Sequence, residues 1–460
     1  MAQISQAQKD SATKLLYFKS TSFQYGIDFK PFEYLASDYK NTFNEKMSDE
    51  EILSKLNKSH QDAEAYTALC YRFFERKDMK TASQYFDKAM EGLKNWADDK
   101  PNDAKPLMMM LDLCSSTQSY QAFDNITDEA LKRFPKHLGI LSRIYIHKLS
   151  VQKNFKDAEE LLNRALAEEP YNLQSVANWL SLQQFRYIVS LSNDASKMPK
   201  QIDISLVQKA LKNNPKSLGY QHLYYYALTT RVYMNLMAKF MTKKTDDFQG
   251  VFKETSKEEK KELKEVINFF KKNLDKADKS KNTMRNNAAF ANVLLGNNEE
   301  AISLFEAQYK ETASRATLES IALTHFLDKN WNALKNSLDR MLEIDPNDMK
   351  ILLSYMSLYE KYDKNDAKLK ETIARVEQTT TSDPTRSLIL ATWYLKEKNL
   401  TKADFYCDLL SEDAKEALLC LAVQAVLKED RNKALLFVEK MLVLDKEDKE
   451  ALALKKVLAS

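Results

Sequence analysis

Five alanines, Ala301, Ala333, Ala367, Ala403 and Ala434, recur at intervals of 32, 34, 36 and 31 residues, each early in an amphipathic stretch. A period near 33 marks a stack of helical hairpins: one hairpin cannot bury both of its apolar faces, so each needs the next to complete it. In residues 284–310 the first helix is predicted to stop at Gly296, where a left-handed residue closes a helix, and Asn297 or Asn298 to cap the second. Ala301, Ile302, Phe305 and Tyr309 then follow at helical spacing and form one apolar stripe. The same small-then-large order appears at Ala82, Phe86 and Ala89 and at Ala158, Leu162 and Ala165.

Composition points the same way. Six glycines and nine prolines in 460 residues are too few turn-formers for a sheet-rich or loop-rich protein. The glycines stand alone, which excludes a dinucleotide fold or a P-loop, both of which need clustered glycine against phosphate. A net charge of +3 argues against a dominant nucleic-acid or anionic-membrane surface. No run of 18 apolar residues is present; Ala417 to Leu427 reads as one buried helix.

Proline after a second helix cannot continue it, and Pro135, Pro170, Pro215, Pro346 and Pro384 are read in that role. At 158–170 the order is Ala, three residues, Leu, two residues, Ala, then Pro five on, and in this the sequence resembles the tetratricopeptide repeat. The resemblance covers residues 61–170 and 282–446. It departs from the family where the first-helix Trp is missing and where Ser337, Cys407 and Val438 replace the second-helix aromatic. It implies an all-α, right-handed superhelical solenoid of roughly nine to eleven antiparallel helix pairs. The expected organisation is a helical cap over 1–60, repeats over 61–170, enlarged divergent repeats over 171–281, repeats over 282–446 and a capping helix over 447–460. In the divergent part, helices are predicted from Leu173 to Leu191 and Leu218 to Met241. Ser256 and Glu259 form a capping-box pattern ahead of the stripe Leu263, Val266, Ile267, Phe270 and Leu274.

In such a stack the first helices line a groove suited to a peptide or a partner's helix. If family geometry carries over, Arg143, His147, Asn286, Asn287 and Phe290 face it, and Gln183, Arg186 and Tyr187 extend the same patch. Tyr224 to Tyr226 span about 200° of their helix, so at least one should leave the core face, with Tyr225 a candidate contact. Against each stands the plainer reading, a wide buried arc or an ordinary solvated position. Met108, Met109 and Met110 are read as core filler. The family's clamp for a chaperone terminus is absent, since Glu319, Ala68, Ile144, Ile389 and Cys420 stand at positions matching Asn287.

No catalytic residues, cofactor or metal site are expected. His60, His137, His147, His222 and His325 make no i, i+4 ligand pair, and no G-x-S-x-G elbow exists. Cys70, Cys114, Cys407 and Cys420 lie far apart and are expected as packed thiols. The functional expectation is a non-catalytic adaptor for a protein or peptide partner, with an RNA-binding helical-repeat protein as the alternative. As the sequence is written, a cytoplasmic location is expected; export to the periplasm is the alternative if Met1 replaces a removed signal peptide.

Overall fold

The computed structural model describes residues 3–18, 43, 47–56, 59–193, 201–243, 248–274, 281–380, 383–446 and 448–459. The protein divides into two compact units, Lys30–Gly296 and Met1–Phe29 with Asn297–Ser460. Among the described residues every regular element is a helix. Helix α1 (Gln6–Thr13) belongs with the C-terminal unit. The 30–296 unit holds α2 (Asp49–Ser54), then α3 (His60–Glu75) with α4 (Met79–Asp99), α5 (Lys105–Ser116) with α6 (Tyr120–Arg133), and α7 (Leu138–Ser150) with α8 (Phe155–Glu168). It continues with α9 (Leu173–Asn193) and α10 (Ser205–Asn213), α11 (Leu218–Lys243), the short α12 (Phe248–Phe252), α13 (Lys257–Asn273) and α14 (Lys281–Leu295). The C-terminal unit resumes at α15 (Asn298–Glu311), with pairs α16 (Arg315–Leu327) and α17 (Trp331–Ile344), and α18 (Met349–Lys361) and α19 (Asp366–Gln378). Pairs α20 (Pro384–Lys396) and α21 (Leu400–Cys407), and α22 (Lys415–Leu427) and α23 (Arg431–Leu444), follow, and α24 (Lys449–Ala459) ends it.

The pairing is serial. Each first helix packs on its own second helix, and first helices also touch one another in order, α3 to α5, α7, α9, α11 and α14 in one unit and α18 to α20 and α22 in the other. Residues expected as one cap over 1–60 fall in both units, α1 in one and α2 in the other. The predicted capping box at Ser256 and Glu259 is formed, and Leu263, Val266, Ile267 and Phe270 are buried. Of the expected polar connection after α9, residues 194–200 lie outside the described residues. Between α3 and α4, a Cβ on Gly92 would lie 3.0 Å from Ala63 Cβ, so a larger residue there would have to push the two helices slightly apart.

The hairpin turns carry a register signal stronger than alanine. Lys77, Gln118, Lys153, Lys329, Lys364, Lys398 and Glu429 have φ between 48 and 64°, and Gly296 has φ 79°. Each closes a first helix. The following residue donates its N–H back across the turn, as Asp78 does to Phe73 O at 2.9 Å, Asn330 to His325 O at 3.0 Å and Asp430 to Ala425 O at 2.9 Å. That same residue caps the second helix, with side-chain hydrogen bonds at Asp78, Asn154, Asn330, Asn365, Asn399 and Asp430. Asn297, not Asn298, is the cap of α15.

Four residues past each cap a side chain is buried: Ala82, Phe123, Ala158, Ala301, Leu334, Leu369, Ala403 and Ala434. Two alanines of the sequence register are therefore corrected. Ala333 and Ala367 stand one and two residues early, and Ala367 is exposed. The position taken for Ser337 is Leu338, which with Ile373 fills the large site in those units. Pro384 is also reassigned: it opens α20 at a position where its missing N–H has no helical partner anyway, rather than following a second helix.

Non-glycine side chains in a left-handed conformation are strained by about 1 kcal/mol, so the exposed Lys329 turn has a testable reserve. Lys329→Gly is expected to raise the stability of the C-terminal unit by about 0.5–1 kcal/mol, read as a higher urea midpoint. An unchanged midpoint would show that the turn stores no strain.

Candidate functional site

The candidate side chains of the 30–296 unit all lie on first helices, α7, α9, α11 and α14. Packing then sorts them. Arg143 makes a two-pronged pair with Asp112 of the preceding first helix, Nε to Oδ1 at 2.7 Å and Nη2 to Oδ2 at 2.9 Å. His147 is buried face to face with Phe123 at 4.0 Å between ring centroids, with Nε2 3.3 Å from Asp124 Oδ1. Burial holds His147 below the usual imidazole range, opposed by Asp124. Gln183, Arg186 and Tyr187 line a cavity with Phe155 and Ile202. Arg186 is exposed and paired with Glu159 at 2.6 Å, whereas Tyr187 is buried, which pushes its phenol up.

Of the tyrosine run, Tyr226 is buried, while Tyr224 and Tyr225 are half-buried. Tyr225 stacks on Phe269 of α13 at 4.3 Å. On α14, Asn286 is half-buried, but Asn287 and Phe290 point into the unit's interior. Asn287 Nδ2 lies 2.9 Å from His222 Nε2, and burial pushes the His222 pKa down to about 3, so the amide donates to a neutral imidazole. Phe290 packs edge-on against Tyr233 at 5.3 Å. His147, Tyr187, Asn287 and Phe290 are therefore buried in this structure, while Arg143, Gln183, Arg186, Tyr225 and Asn286 keep partial access to solvent.

A second site emerges that sequence reasoning missed. In the C-terminal unit the first helices α18, α20, α22 and α24 present a face on which the segment Gln3–Phe18 lies. Ser5 and Gln8 form a capping box that starts α1, and α1 rests on α22 and α24. Gln8 Nε2 donates to Val457 O at 2.8 Å. Beyond α1 the segment reaches helices from α24 to α18. Tyr17 donates its hydroxyl to Glu450 at 3.0 Å, Lys396 Nζ donates to Leu16 O at 3.1 Å, and Phe18 N–H donates to Glu360 Oε2 at 2.9 Å. Lys396 also pairs with Glu360 and sits 5.7 Å from the Phe18 ring centroid. Ile4, Leu16 and Phe18 are each 3% exposed, and the last two line a cavity together with Leu353, Ile389 and Leu419.

The four cysteines are buried and unbridged. Burial pushes Cys70 up to about 11 and Cys114, Cys407 and Cys420 up to about 12, which leaves them protonated and poorly nucleophilic near neutrality. Met108, Met109 and Met110 are buried in the core around Leu107 and Leu111. Among the described residues no cluster of His, Cys, Asp and Glu could hold a metal ion, and no helix is long and apolar enough to cross a membrane.

Eight hairpin turns with one left-handed residue, a following cap and a buried side chain four residues on decide the architecture. The fold is a tetratricopeptide-like stack of helix pairs. No protein-family model matches the sequence, and no curated protein matches it. Among solved structures it is similar to yeast Tom70, at 16% identity over 87% of this protein and 95% of that one, with a TM-score of 0.33. Human IFIT1, solved as a dimer with PPP-AAAA, gives 13% identity, 86% and 93% coverage and a TM-score of 0.32. The P58(IPK) TPR domain gives 13% identity, 86% and 98% coverage and a TM-score of 0.22. At such scores these likenesses say nothing of the site, and the architecture rests on the protein's own hairpins.

Proposed function

We propose that the protein is a non-catalytic protein-interaction scaffold whose first-helix faces hold a segment of a partner protein. The observation that carries this reading is the seating of Gln3–Phe18. Lys396 and Glu360 grip its backbone carbonyl and amide groups, and its buried Leu16 and Phe18 border a cavity shared with Leu353, Ile389 and Leu419 of the first helices. Residues that bind backbone recognise an incoming segment whatever most of its side groups are, and a few apolar anchors supply selectivity. In the 30–296 unit, Arg143, Gln183, Arg186, Tyr225 and Asn286 are the residues proposed to meet a partner; guanidinium and amide groups suit backbone and carboxylate there.

The RNA alternative is disfavoured by charge. Near the seated segment Lys396 pairs with Glu360, Lys415 with Asp448 and Lys398 with Asp10, so the cations are offset by carboxylates.

Cross-linked capture in the native organism tests the reading. The full-length protein is expected to retain a specific protein. Gln183→Ala, Arg186→Ala, Tyr225→Ala and Asn286→Ala combined, or Leu419→Arg in the other unit, are expected to reduce its recovery at least about tenfold with helix content kept. Equal recovery by both variants, or retention of single-stranded RNA in place of protein, would overturn it.

A further inference from the structure

Gln3–Phe18 differs from every other element of the C-terminal unit. It forms no hairpin, and instead it spans four first helices, α1 resting on α22 and α24 while Leu16 and Phe18 meet α20 and α18. Its helix buries little apolar surface, chiefly Ala12 with Ile4 just before it, and adds partly exposed ion pairs, Lys9 with Glu429 at 2.6 Å and Asp10 with Lys398 at 2.5 Å, which are weak and screened by salt. Beyond the helix, the grip falls on backbone groups of Leu16 and Phe18 rather than on interlocking helix ridges. Those are the contacts of a bound ligand. Once the segment is lifted, Leu353, Ile389 and Leu419 lose its apolar cover, and the Lys396–Glu360 pair keeps a donor and an acceptor for another backbone.

We propose that Gln3–Phe18 is an intramolecular ligand, and that the partner of this face is a protein segment of the same chemistry that binds by displacing it. That segment would be a short polar helix followed by two apolar anchors two residues apart on non-helical backbone, as Leu16 and Phe18 are here. The proposal rests on the reading that first-helix faces hold partner segments.

Its size can be bounded. A segment tied to its own site meets it at an effective concentration of about 1 mM. If the free segment binds with a Kd of about 10–100 μM, closed molecules outnumber open ones by about 10–100 to one, and an outside segment binds about 10–100 times more weakly than to an open face.

The test uses the full-length protein with a protease site inserted between Gly26 and Ile27, so that folding occurs with the segment in place. The probe is a fluorescent peptide of residues 3–18, followed by anisotropy before cleavage and after cleavage and gel filtration. The cut protein is expected to bind the peptide at least about ten times more tightly than the uncut, and a peptide carrying Leu16→Ala and Phe18→Ala is expected not to bind. Equal affinity for cut and uncut protein overturns the proposal. So does a cut fragment that stays with the protein and never exchanges with peptide until the helices melt, for the segment is then part of the unit's core. Failure here with partner recovery still lost in Leu419→Arg leaves the scaffold reading standing; failure of both removes it.

Discussion

Phe290→Ala is expected to unfold the end of the 30–296 unit, not merely to weaken a binding face. Phe290 is 1% exposed and packs on Tyr233 of α11. Truncating a buried Phe to Ala costs about 3–5 kcal/mol, transfer and cavity terms together. In a stack, stability is a sum of repeat and neighbour terms, so the loss concentrates in α11, α13 and α14 instead of spreading over the whole protein. Hydrogen exchange should show those three helices losing protection while α3 to α8 keep theirs. Arg186→Ala, at an exposed residue paired across the surface, should stay within about 0.5 kcal/mol of the parent. A Phe290→Ala protein with parental exchange and melting but no partner binding would place Phe290 on the groove after all, and the packing described for α14 would be wrong.

The contrast shows what the sequence discloses. Periodicity finds helices because their apolar stripe is local, and so α9, α11, α13 and α24 begin within a residue or two of where the pattern puts them. Alanine spacing finds the repeat but loses register where Leu334 and Leu369 occupy the small-residue position; close packing needs a buried residue there and tolerates Leu when neighbours adjust. The missing signal stands in the sequence itself: lysine, glutamine or glutamate before Asp, Ser or Asn at the seven turns that lack glycine. No rule that looks for glycine at helix ends finds it.

Site residues fared differently for a physical reason. A first helix touches its own second helix and the first helices on either side, so it buries a wide arc, and neighbours such as Asn286 and Asn287 or Arg186 and Tyr187 part company, one half-buried or exposed and the next interior. That arc is set by packing between repeats and leaves no mark on one helix alone. The seated segment is harder still. Gln8 meets Val457, and Phe18 meets Glu360, across hundreds of residues of sequence. Its local traces are the Ser5 and Gln8 box and the apolar run Leu15, Leu16, Tyr17 and Phe18, which announce a helix and an anchor without saying what they anchor to.

Acid should destabilise the 30–296 unit through one imidazole above all. His222 is fully enclosed between α11, α13 and α14, with Asn287 at 2.9 Å and the Phe270 ring edge-on at 5.1 Å. Its folded pKa is about 3, against about 6.5 in the unfolded state. Because the folded value is the lower one, the unfolded state takes up the proton first. Stability from this group is whole above pH 6.5 and drains away as pH falls toward 3. Linkage gives a loss of about 2 kcal/mol between pH 7 and pH 5, and about 4 kcal/mol by pH 3. His147, also held down by burial, adds a loss of the same sign, so wild type alone cannot apportion the effect. His222→Gln does so, since it keeps a neutral polar partner for Asn287 and removes the titration, while its loss of the Phe270 contact lowers stability alike at every pH. Urea midpoints followed by hydrogen exchange of α11, α13 and α14 should fall more steeply from pH 7 to pH 5 in the parent than in His222→Gln. Parallel curves would mean that His222 is charged, or reachable by water, within the folded unit, and that the enclosed Asn287–His222 contact does not describe it.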